Sequence, residues 1–184
     1  MKNKFLIEMK SRGFLNQCTD LDGLEDICNR KSIIGYIGFD CTAQSLHVGS
    51  LLQIMILRAM QRHGHKPIVL LGGGTTLIGD PSGKDETRKI LDQKQINKNI
   101  KSIKKVFTQL LDSKNKNTKP VFVDNSNWLT KLNYIKFLRE IGRYFTINKM
   151  LTFDSVKLRL EREQSLSYME FNYMILQAYD FYQL

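Results

Sequence analysis

Short apolar runs alternate with longer helical patterns along this chain, and that alternation restricts the fold more than any other feature. The runs are Ile33–Phe39, Pro67–Leu71 and Pro120–Val123. The first predicts a buried strand, and the second, which is apolar throughout, predicts a central parallel strand. Helical patterns at about 46–63 and 93–111 separate the runs. Strand, helix, strand, helix, strand predicts an α/β fold with a doubly wound parallel sheet.

The remaining segments are predicted to be helical. Amphipathic stretches at 5–15 and 21–31 precede the first strand, and Gly64 is predicted to end the helix before the second. Residues 129–184 read as helical throughout and close on a helix at 167–184. The chain has 184 residues, of which 42% are apolar and 25% charged, so we expect one folded domain, 1–184, that includes the helical portion 129–184.

The composition argues against a membrane-spanning, disulfide-bonded or metal-binding protein, and the net charge leaves a role in binding polyanions open. No apolar stretch approaches the roughly 18 residues of a membrane span, so we expect a cytoplasmic protein. The three cysteines form no Cys-x-x-Cys pair, so neither a disulfide nor a bound metal is expected. The net charge of +10 favours polyanions, although compositional bias would also produce it. The lysines at 94, 98, 101 and 105 line up on one helical face, which could help to guide RNA. A stripe of this kind is more often simply a solvated surface.

The run Tyr36–Ser50 leaves the first strand and enters a helix, where α/β folds commonly bind anions. Gly38 and Gly49 lack side chains, so a nucleotide could approach the backbone closely. His47 lies near the helix start, where its ring and the helix dipole can stabilise phosphate charge. Thr42 and Ser50 offer hydroxyl donors. The alternative is a plain strand-to-helix turn with Ser45 as the N-cap.

A glycine-rich connection, residues 72–83, follows the second strand, and connections of this length are usually functional. Within it, Gly79–Lys84 superficially resembles a phosphate-binding P-loop, but the spacing is one residue short and Asp85 follows the lysine. Gly72 and Gly74 lack the third glycine of a dinucleotide-binding motif. A surface turn with solvated charges is the alternative.

The closing helix carries polar residues at helical spacing. Tyr173, Gln177 and Asp180 are spaced i, i+4, i+7, so they form a narrow strip on one face of a largely apolar helix. Such a strip faces either solvent or a polar cavity, because buried unpaired groups are costly.

Taken together, these motifs resemble the bacterial-type tyrosyl-tRNA synthetases, which belong to the class I aminoacyl-tRNA synthetases. His47–Ser50 is similar to the class I His-Ile-Gly-His signature, with Val48 and Ser50 as the departures. The preceding Tyr36–Leu46, the loop Leu77–Lys84 and the Tyr-x-x-x-Gln-x-x-Asp strip take the tyrosyl form. The resemblance implies a Rossmann-like nucleotide fold. Ser50 takes the place of a second histidine that contacts ATP in many class I enzymes, and a serine can still donate one hydrogen bond there.

The resemblance also implies a role for each matched residue. Pyrophosphate charge would be stabilised by the catalytic set His47, Thr42, Lys84 and Arg88. ATP, with Mg²⁺ as part of the substrate, would be bound by Gly38, Asp40, His47, Gly49 and Ser50. Tyrosine would be bound by Tyr36, Asp80, Asn125, Tyr173, Gln177 and Asp180. Of the tyrosine-binding residues, Asp80, Tyr173 and Gln177 would take the amino group, and Tyr36 and Asp180 the phenolic hydroxyl.

The implied reaction is formation of tyrosyl-adenylate and transfer of tyrosine to tRNA by a homodimer that associates through about 129–157. The sequence has no Lys-Met-Ser-Lys-Ser loop and no anticodon-binding domain. We therefore expect residues 1–184 to be a partial catalytic domain with weak ATP–pyrophosphate exchange. A non-catalytic tyrosine- or RNA-binding module is the alternative.

Overall fold

The computed structural model describes residues 2–80 and 91–184. Its strands form a parallel sheet in the order β1-β2-β3, which confirms the predicted α/β class. The strands are β1 (Ile34–Asp40), β2 (Lys66–Gly72) and β3 (Val121–Asp124). The central strand β2 is largely buried, as its apolar sequence predicts. β1 lies at one side of this sheet, and only Phe39 of its residues is buried, so the prediction of a buried first strand was wrong.

Helices precede, connect and follow the strands along the chain. They are α1 (Lys4–Ser11), α2 (Leu21–Arg30), α3 (Val48–Arg62), α4 (Thr75–Ile78), α5 (Gln93–Leu110), α6 (Ser126–Leu129), α7 (Tyr134–Glu140), α8 (Ile147–Met150), α9 (Asp154–Glu161), α10 (Tyr168–Phe171) and α11 (Tyr173–Gln183), with a 3-10 helix at Gly142–Tyr144. The glycine-rich connection therefore contains a short helix, α4. The predicted closing helix is two helices, because the chain breaks at Asn172 between α10 and α11.

The chain divides into two compact units. The first comprises Met1–Phe39, Ala43–Leu71 and Lys98–Val123, and the second comprises Asp40–Thr42, Gly72–Asn97 and Asp124–Leu184. The last residue of each strand thus belongs to the second unit, which places the carboxyl ends of the sheet there. No helix among the described residues is long and apolar enough to cross a membrane.

Aromatic packing in the first unit attaches α5 to the sheet. The Phe107 ring lies edge-on to Phe39 of β1 at 4.8 Å and to Phe122 of β3 at 6.1 Å between centroids. Ile100 and Ile103 are buried on the same side of α5, whereas the lysines at 98, 101 and 105 are exposed. The amphipathic spacing of α5 is therefore used for packing.

Gly64 ends α3 as predicted. Its φ of 81° lies in the left-handed region that other residues rarely adopt. The reversal brings the next residue, His65, under α1, where its ring packs edge-on against Phe5 at 5.0 Å. His65 is buried, and its Nδ1 accepts a 3.3 Å bond from the Ile33 amide, so the neutral ring carries its proton on Nε2. That Nε2 atom is buried without a partner.

Burial of His65 predicts a loss of stability in mild acid. Burial lowers the pKa of His65 below 6.5, and the neighbouring His63 lowers it further. The unfolded chain therefore takes up a proton at higher pH than the folded chain does. Stability contributed by neutral His65 is complete above about pH 6.5 and is lost as the pH falls toward the folded pKa. Urea unfolding at pH 7.5 and 5.5 measures the loss, which His65→Gln should reduce.

Two features separate this effect from other titrations. His47→Gln is measured alongside as a second histidine substitution, at an exposed residue. Glu8 accepts bonds from Arg12, Arg62 and His63, and the His63 bond is the largest cause of its lowered pKa. Its stabilisation is therefore lost only in stronger acid, below the ordinary pKa of 4.5. Equal pH dependence in the parent and His65→Gln would contradict the assignment.

Candidate functional site

A buried carboxylate, Asp180 on α11, lies at the centre of a polar network in the second unit. Its side chain is 2% exposed. Oδ2 accepts a 2.8 Å bond from Asn125 Nδ2, and Oδ1 accepts a 2.8 Å bond from the Trp128 indole. Burial raises the pKa of Asp180 above its ordinary 3.8, while these two bonds oppose the rise. A buried acceptor with spare lone pairs is suited to binding a hydroxyl or an amine.

Asn125 uses its whole hydrogen-bonding capacity within this network. Its Oδ1 accepts bonds from the amides of Gly74 at 2.7 Å and Thr75 at 3.4 Å. Its Nδ2 donates to the Thr75 hydroxyl at 3.1 Å and to Asp180. An amide oxygen has two lone pairs and an amide nitrogen two protons, so all four positions are filled. Asn125 therefore fixes the loop after β2 against α11.

Asp40, the last residue of β1, receives two hydroxyl donors. The Thr75 hydroxyl donates to its Oδ1 at 2.9 Å, and the Tyr173 hydroxyl donates to its Oδ2 at 3.1 Å. A Cβ at Gly72 would collide with the Asp40 carboxylate and the Thr75 hydroxyl, so glycine is needed for this close approach. The network thus continues from Asp40 through Thr75 to Asn125 and Asp180.

The three residues of the polar strip predicted on the closing helix differ in how deeply they are buried. Tyr173 is half-buried and Asp180 is buried, and both bond within the network, whereas the side chain of Gln177 is exposed. Asp80 is half-buried and follows Gly79, whose φ of 91° ends α4. Thr42 is exposed in the same unit. Asp40, Asn125, Tyr173 and Asp180, which were all predicted as site residues, are joined by hydrogen bonds, partly through Thr75.

The first unit holds the start of the nucleotide motif. His47 is the N-cap of α3, because its Nδ1 accepts a 3.0 Å bond from the Gly49 amide. The alternative in which Ser45 caps this helix was wrong, since an imidazole nitrogen can accept the same bond as a serine hydroxyl. With Nδ1 occupied, Nε2 carries the proton of the neutral ring. The exposed His47 thus presents an N–H donor at the start of a 15-residue helix.

The other predicted residues of the first unit lie on β1 and in the first turn of α3. Tyr36 is half-buried on β1, and Gly38 is exposed two residues later. A Cβ at Gly38 would meet Leu70 at 3.8 Å, an ordinary contact, so packing alone does not require glycine there. Ser50 is buried within the first turn of α3. Lys84 and Arg88, predicted to stabilise pyrophosphate, lie outside the described residues.

Sequence reasoning missed Thr75, Thr76 and Trp128. Thr75 bridges Asp40 and Asn125, and the Thr76 hydroxyl accepts a 2.8 Å bond from the Cys41 amide. Trp128 is the only tryptophan of the chain and follows the polar run that ends β3. An indole N–H usually finds a partner when buried, and that rule was the available signal. The described residues contain no cluster of three or more metal-ligating side chains.

These features define a class I aminoacyl-tRNA synthetase fold, with a parallel sheet, a histidine-capped helix after β1 and a polar network at the strand ends. The family described as tRNA synthetases class I (W and Y) matches residues 29–184, and the chain belongs to it.

The chain is similar to tyrosine–tRNA ligases of several organisms. A tyrosine–tRNA ligase of Pelagibacter ubique is 67% identical over 99% of this chain, and one of Ehrlichia ruminantium is 59% identical over all of it. The chain spans 44% of the length of each.

Two solved structures of tyrosyl-tRNA synthetases have a similar fold. A C-terminally truncated mitochondrial tyrosyl-tRNA synthetase of Aspergillus nidulans superposes with a TM-score of 0.86 at 30% identity, covering all of this chain and 54% of that one. A tyrosyl-tRNA synthetase of Archaeoglobus fulgidus complexed with L-tyrosine has a TM-score of 0.61 at 20% identity over 85% of this chain, which shows the fold alone.

Proposed function

We propose that this chain supplies the tyrosine-binding and nucleotide-binding part of a tyrosine–tRNA ligase. The ligase would activate L-tyrosine with ATP to tyrosyl-adenylate and transfer the tyrosyl group to tRNA in the cytoplasm. The observation that carries the proposal is the buried Asp180 carboxylate, supported by the names of relatives 57–67% identical to this chain. Its test is whether residues 1–184 bind tyrosine in preference to phenylalanine.

The chemistry of Asp180 fits a phenolic hydroxyl. A carboxylate has about four lone-pair positions, and Asn125 and Trp128 occupy one on each oxygen. A remaining position can accept the phenolic O–H of tyrosine. Phenylalanine would exclude water from the same carboxylate and offer no donor, and leaving a buried charged acceptor unmatched costs about 1–3 kcal/mol or more. Preference for tyrosine follows from that difference.

The activation step requires positioning and charge stabilisation. An oxygen of the tyrosine carboxylate attacks the α-phosphorus of Mg-ATP, the bond from that phosphorus to the bridging oxygen breaks, and pyrophosphate leaves with the bonding electrons. The predicted donors to the departing charge are His47, Thr42, Lys84 and Arg88. His47 suits this role because its Nε2–H is exposed at the start of α3. The predicted ATP contacts of Gly38, Asp40, Gly49 and Ser50 belong to the same proposal.

Calorimetry tests the proposal against its alternatives. Residues 1–184 are titrated separately with L-tyrosine, L-phenylalanine and an RNA hairpin. Tyrosine binding at least tenfold tighter than phenylalanine binding supports the proposal. RNA binding without preference between the two amino acids would instead favour a non-catalytic RNA-binding module. Tyrosine-selective binding without any tyrosine-dependent pyrophosphate exchange in the full-length protein would indicate a tyrosine-binding module.

The proposed ligase is a homodimer, and apolar side chains on the helical portion support an interface there. Tyr134, Ile135, Tyr144 and Ile147 are between 56% and 76% exposed. A cavity of about 410 Å³, lined by Leu129, Phe137 and other apolar residues, opens beside α7. Exposed apolar surface of this kind is typical of interaction sites.

Ile135→Asp is expected to shift the chain from dimer to monomer. Ile135 is 71% exposed, so the substitution costs the isolated chain little, but it would bury a charge in a dimer interface. A charge buried without a partner should raise the dimer dissociation constant by about 100-fold or more. Sedimentation equilibrium measures that constant. Val48→Asp, a change at an apolar residue that is 79% exposed in the first unit, serves as the control. An unchanged dissociation constant in Ile135→Asp would place the interface elsewhere.

A further inference from the structure

A basic surface lies in the first unit, on α5 from Lys98 onward and on the loop that follows this helix. Residues 98–119 contain seven lysines and one acidic residue, Asp112. These 22 residues therefore carry a net charge of +6, more than half of the +10 of the whole 184-residue chain. A compositional bias of the sequence would spread lysines along the chain and would not deplete acidic residues from one part of it. The positive charge is instead concentrated here.

Most of these lysines point their charge toward solvent. Lys98, Lys101 and Lys105 are spaced i, i+3, i+7, so they follow one face of α5 over about 10 Å. Within the part of the chain that the structure describes, no exposed lysine of residues 98–119 forms an ion pair with a carboxylate. The exposed ones are Lys98, Lys101, Lys105, Lys114, Lys116 and Lys119.

The loop after α5 is held in place by a buried side chain, Gln61 of α3. Gln61 is 8% exposed, and its Nε2 donates to the carbonyls of Asp112 and Thr118, each at 2.7 Å. Its Oε1 accepts a 2.9 Å bond from the Asp112 amide. The Asp112 carboxylate in turn accepts a 2.8 Å bond from the Lys114 amide. The backbone of the loop is thus fixed before a ligand binds, so less conformational entropy is lost on binding.

Stability of the fold does not account for the lysines. Lys101 and Lys105 lie four residues apart on α5, and like charges at that spacing destabilise a helix. Glutamates alternating with the lysines would keep the surface solvated and would stabilise the helix as well. An excess of one charge is suited instead to binding a polyanion.

We propose that this basic surface binds the phosphate backbone of double-stranded RNA. The inference goes beyond the proposed function and does not depend on tyrosine binding. Lysine ammonium groups neutralise phosphates as point charges. Proteins that bind single strands usually add aromatic side chains on which the bases stack, but the only aromatic residue of 98–119, Phe107, is buried. The surface therefore suits a nucleic acid whose bases are paired and whose phosphates face outward.

Asparagines between the loop lysines favour RNA over DNA. Asn115 and Asn117 are exposed, and Asn115 Oδ1 accepts a 3.0 Å bond from the Asn117 amide, which tightens the turn that carries them. A side-chain amide can donate to a 2′-hydroxyl or accept from it, and DNA lacks this hydroxyl. An anionic membrane is a poorer match, because residues 98–119 expose no large apolar side chain that could enter a bilayer.

Fluorescence anisotropy with a labelled RNA duplex of arbitrary sequence tests the proposal, since backbone contacts carry no sequence information. Each phosphate contact contributes about 0.9 to the slope of log affinity against log salt. Neutralising three lysines should therefore make the slope shallower by about 2–3 and weaken binding about tenfold or more at physiological salt. The two variants are Lys98→Gln/Lys101→Gln/Lys105→Gln on α5 and Lys114→Gln/Lys116→Gln/Lys119→Gln in the loop.

Three exposed lysines elsewhere in the first unit give the matched control. Lys4→Gln/Lys10→Gln/Lys31→Gln removes the same charge, and it should leave the salt slope unchanged and the RNA affinity within about threefold of the parent. All of these side chains are exposed, so each variant should stay folded, as circular dichroism will show. An equal loss in the control would mean that net charge, and not this surface, binds the RNA.

Two further ligands identify the partner. A DNA duplex of the same sequence should bind at least about fivefold more weakly, as for the loss of a hydrogen bond to a 2′-hydroxyl. Vesicles of phosphatidylcholine and phosphatidylserine should not bind. A parent chain that binds no RNA, that binds DNA equally tightly or that prefers the vesicles overturns the proposal.

Tyrosine affinity, measured by calorimetry on the same variants, keeps this proposal separate from the proposed function. RNA binding through the lysines in a chain that does not bind tyrosine supports the basic surface and overturns the tyrosine site. Tyrosine-selective binding with RNA binding that none of the lysine variants alters overturns the basic surface and supports the tyrosine site.

Discussion

Asp180→Asn is expected to reduce the preference of this chain for tyrosine over phenylalanine by about 30-fold, because a hydrogen bond to a charged group contributes about 2 kcal/mol. Asparagine keeps the volume but turns one carboxylate oxygen into a donor. That donor would face either Asn125 Nδ2 or the Trp128 indole, both of which already donate. The phenolic hydroxyl thus loses a charged acceptor in a site that is no longer organised around one. Calorimetry with both amino acids measures the ratio of affinities.

A neighbouring carboxylate provides the control for this substitution. Asp124 ends β3 in the same unit, is half-buried, and accepts a bond from the Ser126 amide. Asp124→Asn should therefore keep the preference for tyrosine, because its side chain does not bond to Asp180 or Asn125. If Asp180→Asn retains the parent ratio with an unchanged circular dichroism spectrum, Asp180 does not bind the phenolic hydroxyl.

The sheet could be predicted from the sequence because its signals are local. Continuous apolar runs predicted the strands, and the helix between the first two ends at Gly64 as the glycine indicates. The break in the closing helix was missed for an equally local reason. Asn172 has φ −76° and ψ −11°, still within the right-handed helical region, so no glycine or proline signals the interruption.

The candidate site was predicted only in part because its bonds join distant parts of the chain. Asp180 and Tyr173 were found from helical spacing and from the family resemblance. Trp128 bonds to Asp180 across 52 residues, and Thr75 bonds to Asn125 across 50. No periodicity or short motif encodes such a pairing, since it depends on which strand ends meet. The residue type alone indicates that a buried indole or hydroxyl needs a hydrogen-bond partner. Which residue is that partner depends on the fold.

Asn125→Asp is expected to destabilise the second unit strongly, by about 3–5 kcal/mol at neutral pH, the usual cost of an uncompensated buried charge. The substitution is nearly isosteric, so packing is preserved. It replaces the donor that lies 2.8 Å from Asp180 Oδ2 with a carboxylate oxygen, and two carboxylates at that distance cannot both be ionised. One of them must bind a proton that the unfolded chain releases near the ordinary pKa.

The sign of the pH dependence follows from that proton. The folded variant holds a proton that the unfolded variant has lost, so its stability relative to the parent should rise as the pH falls from 7 toward 5, while both proteins lose the His65 contribution over that range. Urea unfolding of both proteins at pH 7 and 5 measures the difference. Asn133→Asp is the control, because Asn133 caps α7 through its side-chain oxygen, which an aspartate also provides. Equal destabilisation of Asn125→Asp at both pH values would mean that the two carboxylates do not share a proton, and that the lost bond to Asp180 alone accounts for the cost.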